Sequence, residues 1–167
     1  MTPTLTTLGF DVSIARTGWA AITYETGDWV RGGIITTDAR LNLLPRLAEI
    51  RRQTWDILEL FDHGVDVAIE QGISYRSGEV TRKLAMAWAT VALSCSDRMG
   101  IEPHEVNVST VKSLAAGNGH AQKSEVVAAA VARWGDETHD PDIADAAWIA
   151  EACRLHMHRE FDREVAG

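Results

Sequence analysis

Lysine is scarce in this chain: Lys83, Lys112 and Lys123 are the only three in 167 residues. With 16 Lys and Arg against 24 Asp and Glu, the formal net charge is −8, which excludes a protein that grips phosphates with a broad basic surface. Any cations that face an anionic partner must be few and locally placed. Cysteine is equally sparse. Cys95 and Cys153 stand alone with no CxxC spacing, which argues against a disulfide framework or a zinc site and predicts two free thiols. Long apolar runs are missing as well. The stretch 85–95 is broken by small and polar residues well short of a membrane span, and the first nine residues lack a signal peptide's charged start and apolar run. A soluble, cytoplasmic protein is expected.

What is present suits an ordinary globular domain. A hydrophobic share of 46% over residues 1–167 predicts one core, with residues 1–4 and about 158–167 as flexible ends. Leu5 to Phe10 reads as a short buried strand ending at Asp11. Trp19 to Tyr24 and Trp29 to Ile35 read as two more, joined by the tight turn Thr26-Gly27-Asp28. Leu47, Ile50, Ile57, Leu58 and Phe61 keep a helical period that His63-Gly64 ends, and Val65 to Ile69 is again a strand, with Glu70 at its end. A second helix over Glu79 to Arg98 groups Val80, Leu84, Trp88, Val91 and Cys95 on one face. Glu105 to Val108 is a fifth strand, Ser109 caps a short helix carrying Lys112, and a further helix runs from Lys123 past Val131. The last helix has Asp140 at its N-cap and Pro141 at its first position, where a missing N–H costs nothing. The order predicts an α/β domain: a central mixed five-stranded sheet, its first three strands antiparallel, flanked by helices.

Asp142 and Asp145 are three apart on that last helix, so their side chains share a face and repel unless a cation stands between them. Alone, such a pair is explained by the helix dipole, which favours acids in the first turn. Asp11 and Glu70, each closing a strand of a central sheet, change the reading, because strand ends are rigid and open to solvent. Four carboxylates without a soft donor suit Mg²⁺, with Mn²⁺ able to substitute. Two such ions about 3.5–4 Å apart activate a water on one side of a phosphodiester and stabilise the leaving oxygen on the other.

Taken together, these segments resemble the RuvC family of Holliday junction resolvases, in the compact form carried by phages. Leu8-Gly9-Phe10-Asp11 followed by Thr17-Gly18-Trp19 is similar to the family's opening strand and turn, and Val67-Ala68-Ile69-Glu70-Gln71 to its second acidic motif. Val111-Lys112 and Lys123-Ser124 resemble its two basic positions near DNA, and Asp142-Ile143-Ala144-Asp145-Ala146 its C-terminal aspartate pair. The resemblance, spanning Leu5 to His156, implies an RNase H-like fold, a homodimer, and paired nicking of four-way DNA junctions. The chain departs from the family in three places: Val12-Ser13 replaces a Pro-Gly pair, the glycines of the second helix are replaced around 85–90, and Ile73 stands where an aromatic residue reaches into the junction. These touch junction recognition rather than the carboxylates.

Beyond the lysines already named, Arg76, Arg82 and Lys83 form a small basic cluster placed to meet phosphates, although solvated charge at a helix start is the plainer account. Tyr75 could stack on a base, although a surface tyrosine is the simpler account; His139 could donate to a phosphate or hold a metal-bound water, although a loop histidine is the plainer reading; and the six tryptophans fall within or at the ends of elements, as structural residues rather than a stacking platform. Rival functions are a nuclease of the same fold acting on flaps, forks or structured RNA, and a non-catalytic junction-binding module. An actin-like phosphotransferase would need a second glycine-rich phosphate loop and a longer chain. A binding module would not need all four acids.

Overall fold

The computed structural model describes residues 5–61, 64–71 and 78–166. Arg76, with Ile73, Tyr75 and His63, lies outside the described residues. Five strands form one sheet in the order β3-β2-β1-β4-β5: β1 is Thr6–Asp11, β2 Arg16–Thr23, β3 Trp29–Thr36, β4 Val65–Glu70 and β5 His104–Val106. β1 pairs antiparallel with β2, β2 with β3, and β1 pairs parallel with β4, which pairs parallel with β5. The helices are α1 (Leu43–Leu58), α2 (Gly78–Met99), α3 (Val108–Ala116), α4 (Lys123–Trp134) and α5 (Pro141–Ala166), with a 3-10 turn at Asp136–Thr138 before the last. This is the mixed sheet and α/β class expected.

The sheet is covered on both faces, which is why β1 is buried nearly throughout instead of alternating with solvent. Leu8, Phe10, Val67 and Ile69 pack against Ile50, Ile57 and Leu58 of α1 and Val91 and Cys95 of α2. On the opposite face Ala68 and Val106 meet Ile149 and Cys153 of α5, Val126 of α4 and Val111 of α3. Close approach of α5 depends on glycine. A Cβ on Gly9 would stand 2.1 Å from the Ala146 carbonyl oxygen, and one on Gly18 would stand 2.0 Å from that of Asp142. The small residues Ala146, Ala147 and Ala150 complete this contact from the helix side.

The hairpin turn forms at Gly27, whose N–H donates to the Thr23 carbonyl at 2.9 Å. It is tied to the helical layer by Trp134, whose indole N–H donates to the Gly27 carbonyl at 2.8 Å, and by the buried Glu151, which accepts from both Arg133 and Arg154. Both cysteines are free and buried, and burial pushes each thiol up to about 12.

Several boundaries differ from the sequence reading. β2 begins at Arg16, three residues before Trp19, because Arg16 and Thr17 pair with Thr36 and Ile35. β5 stops at Val106, and Asn107, rather than Ser109, caps α3, its side chain accepting from the Ser109 amide at 2.8 Å. α1 ends at Leu58, leaving Phe61 outside it. On α2 the core cluster begins at Met86, so Val80 is 44% exposed, while Ala87 is fully buried. Among the described residues no helix is long and apolar enough to cross a membrane.

Candidate active site

Parallel pairing of Phe10 with Ile69 sets the first two carboxylates, because the next residue along each strand is Asp11 on β1 and Glu70 on β4. Side chains alternate across a strand. Leu8, Phe10, Val67 and Ile69 face α1 and α2, so Asp11 and Glu70 face the α5 side. There α5 starts directly over β2. Asp140 is its N-cap as expected, with Oδ1 accepting from the Asp142 amide at 3.0 Å. The first turns of the helix then carry Asp142 and Asp145 toward the sheet end.

Lys123, the first residue of α4, stands against that pair. Its Nζ lies 3.2 Å from Asp145 Oδ2 and 3.5 Å from Asp142 Oδ1. It is held there by the start of its own helix, where the Glu125 carboxylate accepts from the Gln122 amide at 2.7 Å. Lys112 on α3 also acts on the cluster, opposing the upward shift of Glu70 and Asp145. Of the two lysines singled out in the sequence, Lys123 thus touches the carboxylates, and Lys112 acts on two of them through its charge. Lys83 instead pairs with Glu79 one helical turn away at 2.6 Å, and Arg82 is an exposed residue of the same helix.

The electrostatics of the four acids are those of a crowded, poorly solvated cluster. Burial, then Glu70 and Asp145, push the Asp11 carboxyl up to about 8, with Lys123 opposing. Burial, then Asp145, push Glu70 up to about 7. Asp145 is also raised, mainly by burial. Lys123 is raised despite its own partial burial, because Asp145, Asp11 and Asp142 stabilise its charge. Such a set is costly to ionise in full without added positive charge.

The donors are all hard oxygens, which fits Mg²⁺ or Mn²⁺ and not zinc. Among the described residues no three such side chains stand close enough to enclose an ion unaided.

Arg16 is the residue that sequence reasoning missed. Its Nε donates to Asp142 Oδ2 at 2.8 Å and its Nη2 to Asp140 Oδ2 at 2.7 Å. No local pattern announces this, because the partners lie 126 and 124 residues away. Burial raises Asp140, but the Asp142 amide and Arg16 outweigh it and hold that carboxyl below its ordinary value. His139 donates to or accepts from no carboxylate of the cluster among its described bonds; its Nδ1 is 2.7 Å from the Asp136 carbonyl oxygen.

Residues 7–153 match the family described as crossover junction endodeoxyribonuclease RuvC. A protein of that description from the bacterium Parvibaculum lavamentivorans is 34% identical over 170 residues, covering 99% of this chain and 95% of the relative. Among solved structures, Thermus thermophilus RuvC superposes with a TM-score of 0.80 at 22% identity, covering 93% of this chain and 97% of that one. The same protein in complex with Holliday junction substrate gives 0.80 at 23% identity, covering 92% and 96%. These relatives are bacterial, and the phage-borne form suggested by the sequence has no counterpart among them. With most of its length matched and its fold shared, this chain belongs to the RuvC family of crossover junction endodeoxyribonucleases.

Proposed function

We propose that this chain resolves four-way DNA junctions in the cytoplasm by metal-dependent paired nicking, working as a homodimer. The observation that carries the reading is the convergence of Asp11, Glu70, Asp142 and Asp145 from two parallel strand ends and one helix N-terminus, bordered by Lys123. Asp11, Glu70, Asp142 and Asp145 would together hold two Mg²⁺ or Mn²⁺ ions, with Asp11, which the other three carboxylates all crowd, as the ligand the ions would share. When bound, the ions supply an activated water and a counter-charge for the departing 3′ oxygen. The protein's part is to hold rigid oxygen donors against a sheet end, to keep bulk water from the buried side, and to orient the DNA strand through phosphate contacts.

Lys112 and Lys123 are the phosphate-binding cations nearest the chemistry. Lys123 is half-exposed although it touches two carboxylates, so it is available to a phosphate when the acids are otherwise neutralised. Arg82 and Lys83 on α2, and Arg76, serve the flanking duplex. The dimer is built on α2, where Leu93 is 62% exposed beside Trp88, Ala89 and Ala92, and twofold symmetry matches two equivalent strands to cut.

The direct test is incubation of purified protein with Mg²⁺ or Mn²⁺ and a synthetic four-way junction. Symmetric nicked duplexes are expected. Preferential cutting of flaps, forks or structured RNA, with the four-way junction bound but intact, would reassign the substrate within the same fold.

A further inference from the structure

We propose that Arg16 is a positioning residue for Asp142: its guanidinium clamps the N-cap aspartate and Asp142 together, so that Asp142 presents only its Oδ1 to the metal side of the cluster. The inference rests on the assignment of Asp142 as an ion ligand and deepens it. Nε and Nη2 of Arg16 form a fork on two different carboxylates, Asp142 Oδ2 at 2.8 Å and Asp140 Oδ2 at 2.7 Å. The free oxygen of Asp140, Oδ1, accepts from the Asp142 backbone amide at 3.0 Å. Backbone and side chain of Asp142 are thus both tied to the same pair of residues. Its remaining oxygen, Oδ1, is the one that faces Lys123, 3.5 Å away, next to Asp145.

The strand beneath fixes the position of this clamp. Arg16 opens β2, and two residues on, Gly18 lies under the Asp142 carbonyl, where a Cβ would stand 2.0 Å from that oxygen. The first turn of α5 is therefore seated on β2 by backbone contact and held by Arg16 from the side. Charge supports the same role. Arg16 and Asp140 neutralise each other, so the clamp adds no net charge beside the cluster. A planar guanidinium can hold two carboxylates at fixed angles, whereas a lysine ammonium is a point charge on a flexible stem.

The test separates positioning from simple electrostatics by sign. Removing a positive charge should tighten cation binding if charge alone matters, whereas removing a clamp should weaken it. Mn²⁺ binding to the purified, DNA-free protein is measured by electron paramagnetic resonance for wild type, Arg16→Ala, Arg16→Lys, Asp140→Asn and Asp142→Asn. Removal of such a supporting contact lowers metal affinity by about 10–100-fold. That loss is expected for Arg16→Ala, and nearly as much for Arg16→Lys, which keeps the charge but not the fork. The double variant Arg16→Ala with Asp140→Asn should bind no more weakly than Arg16→Ala alone. Junction affinity without divalent ions should be unchanged, while the Mn²⁺ concentration for half-maximal cleavage rises in step with the binding loss. If Arg16→Ala does not fold, judged by its melting curve, Arg16→Lys and Asp140→Asn carry the same comparison. The proposal is overturned if Asp142→Asn loses Mn²⁺ while Arg16→Ala or Arg16→Lys binds it as tightly as wild type or tighter. If Asp142→Asn itself binds and cleaves as wild type does, the ligand assignment fails first, and the two failures are distinguishable.

Discussion

Burial beside other carboxylates makes Asp11 and Glu70 reluctant to ionise in the absence of ions, with carboxyls pushed up to about 8 and about 7. In the unfolded chain both release their protons near pH 4. Between those limits the folded chain holds more protons than the unfolded one, so this contribution to stability is fully present below about pH 4 and lost as pH rises through about 7 to 8. In chelator, wild type is expected to lose melting temperature relative to Asp11→Asn as pH is raised from about 6 to about 8. Mg²⁺ should reverse the trend, stabilising most at the higher pH, because ligands must be deprotonated to bind. Calorimetric scans with and without ion check both signs. For the chemistry itself, Asp11→Asn, Glu70→Gln and Asp145→Asn should each lower cleavage by about 10⁴-fold, the scale seen when one member of a cooperating set is removed. Junction binding should persist. Near wild-type cleavage by any of the three would remove that residue from the site.

At the level of elements, the cluster depends on how closely α5 sits on β1 and β2. Gly18→Ala would drive a methyl group into the Asp142 carbonyl, so the helix start must lift. A destabilisation of about 1–3 kcal/mol is expected from such overpacking, together with a fall in cleavage that exceeds any fall in junction binding. The other end of the hairpin offers a contrast. Glu151, 4% exposed, holds Arg133 and Arg154, and Arg154 also reaches the Tyr24 and Glu25 carbonyls at 3.4 Å. Glu151→Ala leaves those charges uncompensated and should cost about 3–5 kcal/mol in urea unfolding. Activity of the folded fraction should survive, because the network is remote from Asp142. Periodicity located most of these elements, since apolar spacing and end signals are local. It misjudged β5 and the α3 cap, where Asn107 turns the chain two residues earlier than Ser109 would. It also put Val80 in a core that reaches α2 only at Met86.

For the whole molecule, the −8 charge and the scarcity of lysine mean that few cations hold the DNA. With about four to six phosphate contacts, the slope of log affinity against log salt should be about −4 to −5. Such contacts select the shape of a branch rather than its bases, so nick positions should vary little among junctions that differ only in sequence at the branch point. Cutting confined to one short motif would reveal base readout. The exposed Leu93 beside Trp88, Ala89 and Ala92 is the apolar feature expected to pair two copies. Light scattering of Leu93→Asp should show monomer where wild type shows dimer, with cleavage reduced. An active wild-type monomer at working concentration would remove the dimer from the mechanism.

The sequence by itself determined what depends on local order: the strand and helix succession, the capping of α5 by Asp140, and the four acids at element ends. It also singled out Lys112 and Lys123, because Val111-Lys112 and Lys123-Ser124 resemble the two basic positions of the RuvC family. Only the tertiary structure decided which charges meet. Lys123 approaches Asp142 and Asp145, while Lys83 is satisfied by Glu79 on its own helix. Arg16 meets Asp140 and Asp142 across more than a hundred residues of chain, through a β2 that begins three residues earlier than its apolar pattern. Such a pairing leaves no trace in spacing, because it is set by strand register and by helix-on-sheet contact at Gly18, and both arise from packing between segments distant in sequence.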